Sequence, residues 1–92
     1  MEIAKVISIL EETTALLRIS LSSDNASMSV EELMDALGAE LVRAREQQSI
    51  DSDRLKMLFA PTGPIQEISN ENGWENDFLR ISQIMDGLLG KR

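Results

Sequence analysis

Apolar side chains recur every three or four residues in the first part of the chain, which is the spacing of one face of an α-helix. The pattern predicts a first helix over residues 2–21. Its predicted inward face holds Ile3, Val6, Ile7, Leu10, Thr14, Leu17 and Leu21. A second apolar strip consists of Ile9, Leu16 and Ile19, which we expect to be buried inside the domain or, as the alternative, to face a partner.

A capping box opens the second predicted helix, Val30–Gln47. The Ser29 hydroxyl can accept from the backbone N–H of Glu32, while the Glu32 carboxylate reaches back to the N–H of Ser29. Gly38 lies inside this helix and costs up to about 1 kcal/mol relative to alanine, and a close approach between two helices would explain it. The apolar face comprises Val30, Leu33, Met34, Leu37, Leu41 and Ala44.

The second half of the chain contains a clear break in the helical pattern. Residues 60–64 hold two prolines and a glycine, which end any helix that reaches them. Before the break, Asp51 suits the N-cap of a short helix over residues 52–59. The inward side chains of this short helix are Leu55, Leu58 and Phe59.

Two further helices are predicted after the break. Pro64 suits the first position of a short helix that reaches Asn72, and Gly73 suits the left-handed residue that follows. The last helix, Glu75–Leu89, carries the stripe Phe78, Ile81, Ser82, Met85, Leu88 and Leu89. The whole pattern predicts an all-α fold, an irregular bundle of about five helices, of which three are longer and two are short.

Length and composition are those of a small globular protein. With 92 residues, of which 42% are apolar, we expect one helical domain over residues 1–92. The N-terminus does not resemble a signal peptide, no apolar run approaches the length of a membrane span, and cysteine is absent. We therefore expect a cytoplasmic protein that does not act on a membrane.

Side chains that usually carry catalysis are missing from the sequence. Histidine and cysteine are both absent, and no phosphate-binding glycine loop occurs. Residues 70–77 are rich in oxygen ligands but lack the spacing of a calcium-binding loop, and they are more simply helix caps and acidic first turns. We expect neither an enzyme nor a protein with a metal or another cofactor.

The charge of the chain indicates what kind of partner it could bind. Sixteen acidic and nine basic side chains give a formal charge of -7. Such a surface repels nucleic acid and attracts a basic protein. The same charge would also serve solubility alone, so it does not by itself identify a partner.

Residues 58–74 stand out because they contain both prolines and the only tryptophan. One interpretation is structural, with Trp74 filling the core between the last two helices. The other is a rigid acidic contact surface, anchored on Trp74, since tryptophan is a frequent anchor in interfaces. The remaining members of that surface would be Gln66, Glu67, Asn70 and Glu71.

This segment also carries a resemblance. The run Phe-Ala-Pro-Thr-Gly-Pro-Ile-Gln-Glu-Ile at 59–68, followed by Asn-Gly-Trp at 72–74 and a helix with a phenylalanine, resembles small bacterial proteins of toxin–immunity loci of the contact-dependent growth-inhibition type. The resemblance covers residues 55–86, about a third of the chain. It implies a non-catalytic cytosolic protein that blocks the active site of a cognate toxin, and many such toxins are basic nucleases.

The favoured hypothesis is therefore an immunity protein that binds a basic toxin and is a monomer or a weak homodimer when free. The alternatives are a helical adaptor or homodimeric module that associates through Ile9, Leu16 and Ile19, and a phage-type inhibitor of a host enzyme. The predicted partner-binding residues are Glu31, Glu32, Asp35, Glu67, Glu71, Trp74, Glu75 and Asp77.

Overall fold

Five α-helices make up the regular structure of the described chain. The computed structural model describes residues 2–22 and 26–90, and it contains no strand in these ranges. The helices are α1 (Ile3–Arg18), α2 (Val30–Gln47), α3 (Ser52–Leu58), α4 (Pro64–Asn72) and α5 (Glu75–Leu89). The predicted all-α bundle of three longer and two short helices is confirmed.

The helix ends are formed by the residues that the sequence indicated. The Ser29 hydroxyl accepts from the Glu32 N–H at 3.1 Å, and the Ser29 N–H donates to the Glu32 carboxylate at 3.0 Å. The Asp51 carboxylate caps α3 by accepting from the Arg54 N–H at 3.1 Å. Gly73 ends α4 with a φ of 76°, in the left-handed region that glycine adopts without strain.

The core lies where α1 and α5 meet the other three helices. The helix α1 packs along α2 and also contacts α5, while α5 contacts α3 and α4, and α4 touches α2. Phe59 and Phe78 are the two largest fully buried side chains. The largest fully buried aliphatic side chains are Leu10, Leu17, Leu33, Leu37, Leu55, Leu58, Ile65, Ile68, Ile81 and Met85.

The end of α1 differs from the sequence prediction. The helix stops at Arg18, and Leu21, predicted to face inward, is 79% exposed. The second apolar strip is divided, because Ile9 is buried and Leu16 packs against the core while Ile19 is 79% exposed. The strip is therefore not a continuous surface for a homodimer. Helical periodicity could not predict this difference, because the chain after α1 is held by side chains of residues that are distant in the sequence.

The close-approach explanation predicted for Gly38 is wrong, whereas Gly63 lies in a tight turn. A Cβ atom added to Gly38 would meet no atom within 4 Å, so a close helix–helix approach does not explain this residue. A Cβ atom added to Gly63 would lie 2.8 Å from the carbonyl oxygen of Met57 and 3.2 Å from that of Ala60. The tight backbone approach thus occurs at the turn before α4, where glycine is required.

A buried carboxylate joins α2 to α3. Glu40 is only 2% exposed, and its Oε1 accepts from the backbone N–H of Asp51 at 3.0 Å. The Arg43 Nε lies 3.9 Å from the second carboxylate oxygen. Glu40 therefore fixes the backbone of the residue that caps α3. The sequence pattern gave no sign of this, because an acid on a helix is ordinarily solvated.

Candidate protein-binding surface

The segment after α1 is held by side chains at the junction of α4 and α5. The Trp74 indole N–H donates to the Ser20 hydroxyl at 2.8 Å. The Asn72 side chain pairs with both backbone groups of Leu21, since its Oδ1 accepts from the N–H and its Nδ2 donates to the carbonyl, each at 2.9 Å. Together these bonds fix the path of the chain beside the end of α4.

A second connection holds the residues that precede α2. The Glu67 carboxylate accepts from the Ser27 hydroxyl at 2.6 Å and from the Ser27 backbone N–H at 3.1 Å. The hydroxyl contact, followed by the backbone contact, lowers the pKa of Glu67 below its ordinary value of 4.5, while partial burial acts in the opposite direction. Glu67 is therefore an ionised clamp between α4 and the segment before α2.

These connections join two parts of the chain that contain acids but no Lys or Arg. Residues 19–42 and 57–79 together hold nine of the sixteen acidic side chains and none of the nine basic ones. The Ser22 hydroxyl, beside the clamped Leu21, lies 3.3 Å from the Glu31 carboxylate. Glu71 and Glu75 flank Asn72 and Trp74 in the sequence. The fold thus brings Glu31 and Glu67 to the connected segments, and Glu71 and Glu75 lie next along the chain to residues that form the connections.

The predicted partner-binding acids are placed as follows. Glu31, Glu67, Glu71 and Glu75 lie at or beside the connected segments, and we call these four residues the acidic surface. Glu32 is exposed but engaged in the capping box, and Asp35 is exposed one turn further along α2. Asp77 is exposed, with its carboxylate 3.6 Å from Arg80.

Trp74 does not form the exposed anchor that one interpretation of the sequence suggested. Only 6% of its surface is exposed, it belongs to the hydrophobic core, and it immediately precedes α5. The structural interpretation, a core residue at the junction of the last two helices, is the correct one. Burial follows from its large apolar ring, while its one polar atom is satisfied by Ser20.

Exposed apolar residues beside the acidic surface were not expected from the sequence. Ile19 and Leu21, the apolar pair, are each 79% exposed, more than any other large apolar side chain in the described ranges. Their backbone is held in place by the contacts of Ser20 and Leu21 with Trp74 and Asn72. An exposed apolar pair beside carboxylates that form no ion pair within residues 2–22 and 26–90 has the composition of the centre and rim of a protein interface.

A groove lies between α4 and α5. It has a volume of about 270 Å³, and two of its lining residues, Phe78 and Ser82, are buried. Its exposed or half-buried members include Gln66 and Asn70, two residues of the contact surface predicted from the sequence. The complete lining is Pro61, Gln66, Asn70, Glu75, Phe78, Leu79 and Ser82. We call this feature the α4/α5 groove.

Charge is compensated in the rest of the molecule. All nine basic side chains and seven of the acids lie outside residues 19–42 and 57–79. Glu11 pairs with Arg45, and Glu12 pairs with Arg80 and raises the pKa of that guanidinium. The acidity of the protein is therefore concentrated in the two parts of the chain that the fold brings together.

Comparison of the chain with protein-family models, with curated proteins and with solved structures finds no match. None of the described helices is long and apolar enough to cross a bilayer. Within residues 2–22 and 26–90, no three acidic side chains are grouped so that they could hold a metal ion.

Proposed function

We propose that this protein is an immunity protein that binds a basic protein toxin, a nuclease, and neutralises it by covering the active site. It would do so in the cytoplasm, as a non-catalytic binder without a cofactor. One observation carries the proposal. Residues 19–42 and 57–79, which contain acids but no Lys or Arg, are connected in the fold, and the exposed apolar pair Ile19 and Leu21 lies in the first of these parts.

Electrostatics supports a basic partner of this kind. An acidic surface attracts a positively charged protein and raises the association rate, by about 10- to 1,000-fold in steered complexes at low salt. Nucleases are a natural class of partner, because the cationic cleft that grips a phosphate backbone is complementary to a cluster of carboxylates. Nucleic acid itself would be repelled by the same surface.

The apolar pair would contribute binding affinity, to which surface charge alone contributes little. Exposed ion pairs contribute little to affinity, whereas buried apolar anchors near the centre of an interface contribute most of it. The backbone of Leu21 and the hydroxyl of Ser20, which lies between the two apolar residues, are held by hydrogen bonds before any partner arrives. Such a surface loses little conformational entropy on binding, which favours tight association.

A phage-type inhibitor of a basic host enzyme would use the same surface, and the identity of the neighbouring gene distinguishes it from an immunity protein. A homodimeric adaptor is supported less well, because two of the three residues of its supposed strip contact the core. Sedimentation of the purified protein separates these possibilities, since an adaptor of that kind would be a stable dimer and an inhibitor awaiting its toxin would not.

The proposal is tested by co-expression with the basic protein encoded next to this gene. We expect the neighbour to arrest growth when expressed alone, growth to be restored by this protein, and a stable complex to be purified. A neighbour that is harmless, or toxicity that persists despite expression of this protein, would overturn the proposal.

A matched pair of variants then tests the role of the acidic surface. The triple variant Glu31→Gln, Glu71→Gln and Glu75→Gln removes three charges from it. The control Glu2→Gln, Glu46→Gln and Asp53→Asn removes three exposed charges from the compensated part of the chain. We expect only the first variant to slow association, by about tenfold or more at low salt. If both triple variants slowed association equally, the effect would come from the net charge of the protein and not from the acidic surface.

A further inference from the structure

We infer that the α4/α5 groove is a socket for a single arginine side chain, presented by the basic partner. The inference rests on the proposed function for the source of the arginine, and it adds a second contact point to the apolar pair. The groove itself, its lining and the charge around it carry the argument.

The size of the groove favours a side chain over a small molecule. Its volume of about 270 Å³ lies below the roughly 300–1,000 Å³ typical of pockets that hold a drug-sized ligand. Its apolar lining includes Phe78, which is 1% exposed, and Leu79, which is 54% exposed. These surfaces suit the aliphatic stem and the flat face of a long side chain.

The polar groups of the lining determine the chemistry of the occupant. Glu75 contributes a carboxylate, and Gln66 and Asn70 contribute amide groups that can accept as well as donate, while the rest of the lining is mainly apolar. Within the described residues Glu75 has no ion pair. Its carboxylate is exposed, in a position where a cation of a partner could reach it.

Arginine matches this set better than the other candidates. Its planar guanidinium has five donors and stacks on apolar surfaces, whereas the lysine ammonium is compact and strongly hydrated. An apolar side chain would cover the acceptors without satisfying them, which costs free energy. An acidic side chain would be repelled by Glu75 and by the other acids of residues 57–79, where no base occurs.

One electrostatic effect opposes a cation here, because the groove lies at the start of α5. The helix macrodipole places about half a positive charge at a helix N-terminus. Two full negative charges, Glu75 and Asp77, lie in the first turn of α5. Even with Asp77 partly compensated by Arg80, the carboxylate of Glu75 outweighs the half charge, so the local potential favours a cation.

The experiment uses the isolated protein and a small probe, so it does not depend on knowing the toxin. Backbone amide spectra would be followed by NMR during titration with Nα-acetyl-arginine-N-methylamide. The lysine analogue tests the need for a guanidinium, and the neutral citrulline analogue tests the need for charge. The variant Glu75→Gln removes the carboxylate of the groove, and Glu71→Gln removes an equal charge from outside its lining.

With the arginine probe we expect saturable changes in the backbone amide chemical shifts, centred on Gln66, Asn70 and Leu79. The lysine probe should give weaker changes at these residues, and the citrulline probe should give none there. The Glu75→Gln variant should weaken arginine binding by about three- to tenfold, and Glu71→Gln by much less, since only the former loses a charge-assisted hydrogen bond. Chemical-shift changes spread over all exposed acids, or an equal loss of arginine affinity in both variants, would overturn the proposed arginine socket.

The two proposals fail separately. The growth-rescue assay can succeed while the groove shows no preference for arginine, in which case the toxin binds elsewhere and the socket is wrong. The groove can bind the arginine probe while the neighbouring gene is harmless, in which case the socket stands and the immunity function is wrong. Circular dichroism of both variants confirms that each remains folded during the titration.

Discussion

The Trp74 indole donates its hydrogen bond to Ser20, a residue 54 positions earlier in the chain, at 2.8 Å. The Ser20 hydroxyl in turn donates to the carbonyl oxygen of Leu16 at 2.7 Å. This relay ties the start of α5 to the last turn of α1. It also satisfies the single polar atom of the only tryptophan, which allows the ring to be buried.

The first prediction concerns this relay. Trp74→Phe keeps an aromatic ring but loses the donor, and Ser20→Ala leaves the buried indole N–H without an acceptor. Each should destabilise the protein by about 1–3 kcal/mol. The double variant should cost about 0.5–1.5 kcal/mol less than the sum, because the second change removes an interaction already lost. Urea unfolding of the four proteins measures this coupling.

A control uses a hydroxyl outside the relay. Thr14 donates to the carbonyl oxygen of Leu10 at 2.8 Å and shares no hydrogen-bond partner with Trp74. Thr14→Ala and Trp74→Phe should therefore be additive within about 0.3–0.5 kcal/mol. Additivity of Ser20→Ala with Trp74→Phe to the same degree would contradict the relay.

The second prediction is a pH dependence from the bond between Glu67 and Ser27. The folded protein holds the pKa of Glu67 below its ordinary value of 4.5, so the unfolded chain binds more protons in acid. The stability contributed by Glu67 is present above that value and is lost as the pH falls through the lowered pKa. The stability advantage of the wild type over Glu67→Gln should therefore be constant near neutral pH and vanish in acid.

Two comparison variants make this result specific. Ser27→Ala removes the contacting hydroxyl and should reduce the same pH-dependent contribution. Glu71→Gln removes an equal charge from the same helix without touching Ser27, so it isolates the effect of net charge. If the difference in stability between wild type and Glu67→Gln were the same at pH 7 and in acid, the ionised Glu67 would not stabilise the fold through Ser27. Thermal unfolding across the pH range provides the measurement.

The third prediction contrasts two glycines. Gly38→Ala places a methyl group in open space inside a helix and should stabilise the protein by up to about 1 kcal/mol. Gly63→Ala forces a methyl group against the backbone carbonyls of Met57 and Ala60 and should destabilise it by about 1–3 kcal/mol. Denaturant midpoints distinguish the two, and effects of the same sign would contradict the turn geometry.

The fourth prediction maps the binding surface once the toxin is in hand. Ile19→Ser or Leu21→Ser should change stability by less than about 0.5 kcal/mol, since both side chains are exposed. Each should weaken the complex by about tenfold or more if the apolar pair is an anchor. Val42→Thr, at a residue that is 53% exposed on α2, should leave affinity unchanged. Calorimetry or biolayer interferometry measures both effects.

Local chemistry was readable from the sequence. The capping box at Ser29, the cap at Asp51 and the left-handed Gly73 follow from hydrogen bonds and backbone preferences that act within four residues. The spacing of apolar residues likewise predicted most of the core, but not Ala36, Ile65 or Ile68. The absence of Lys and Arg from residues 19–42 and 57–79 is also visible in the sequence and indicates where acidity concentrates.

The relations between distant residues were decided only by the tertiary structure. The exposure of Ile19 and Leu21, the burial of Glu40 and the placement of Trp74 in the core all depend on partners 11 to 54 positions away. Helical periodicity predicts which face of a helix is apolar, but it does not predict contacts with side chains that are distant in the sequence. The sequence by itself therefore determined the helices and their caps. Packing decided which apolar residues remain exposed beside the acids.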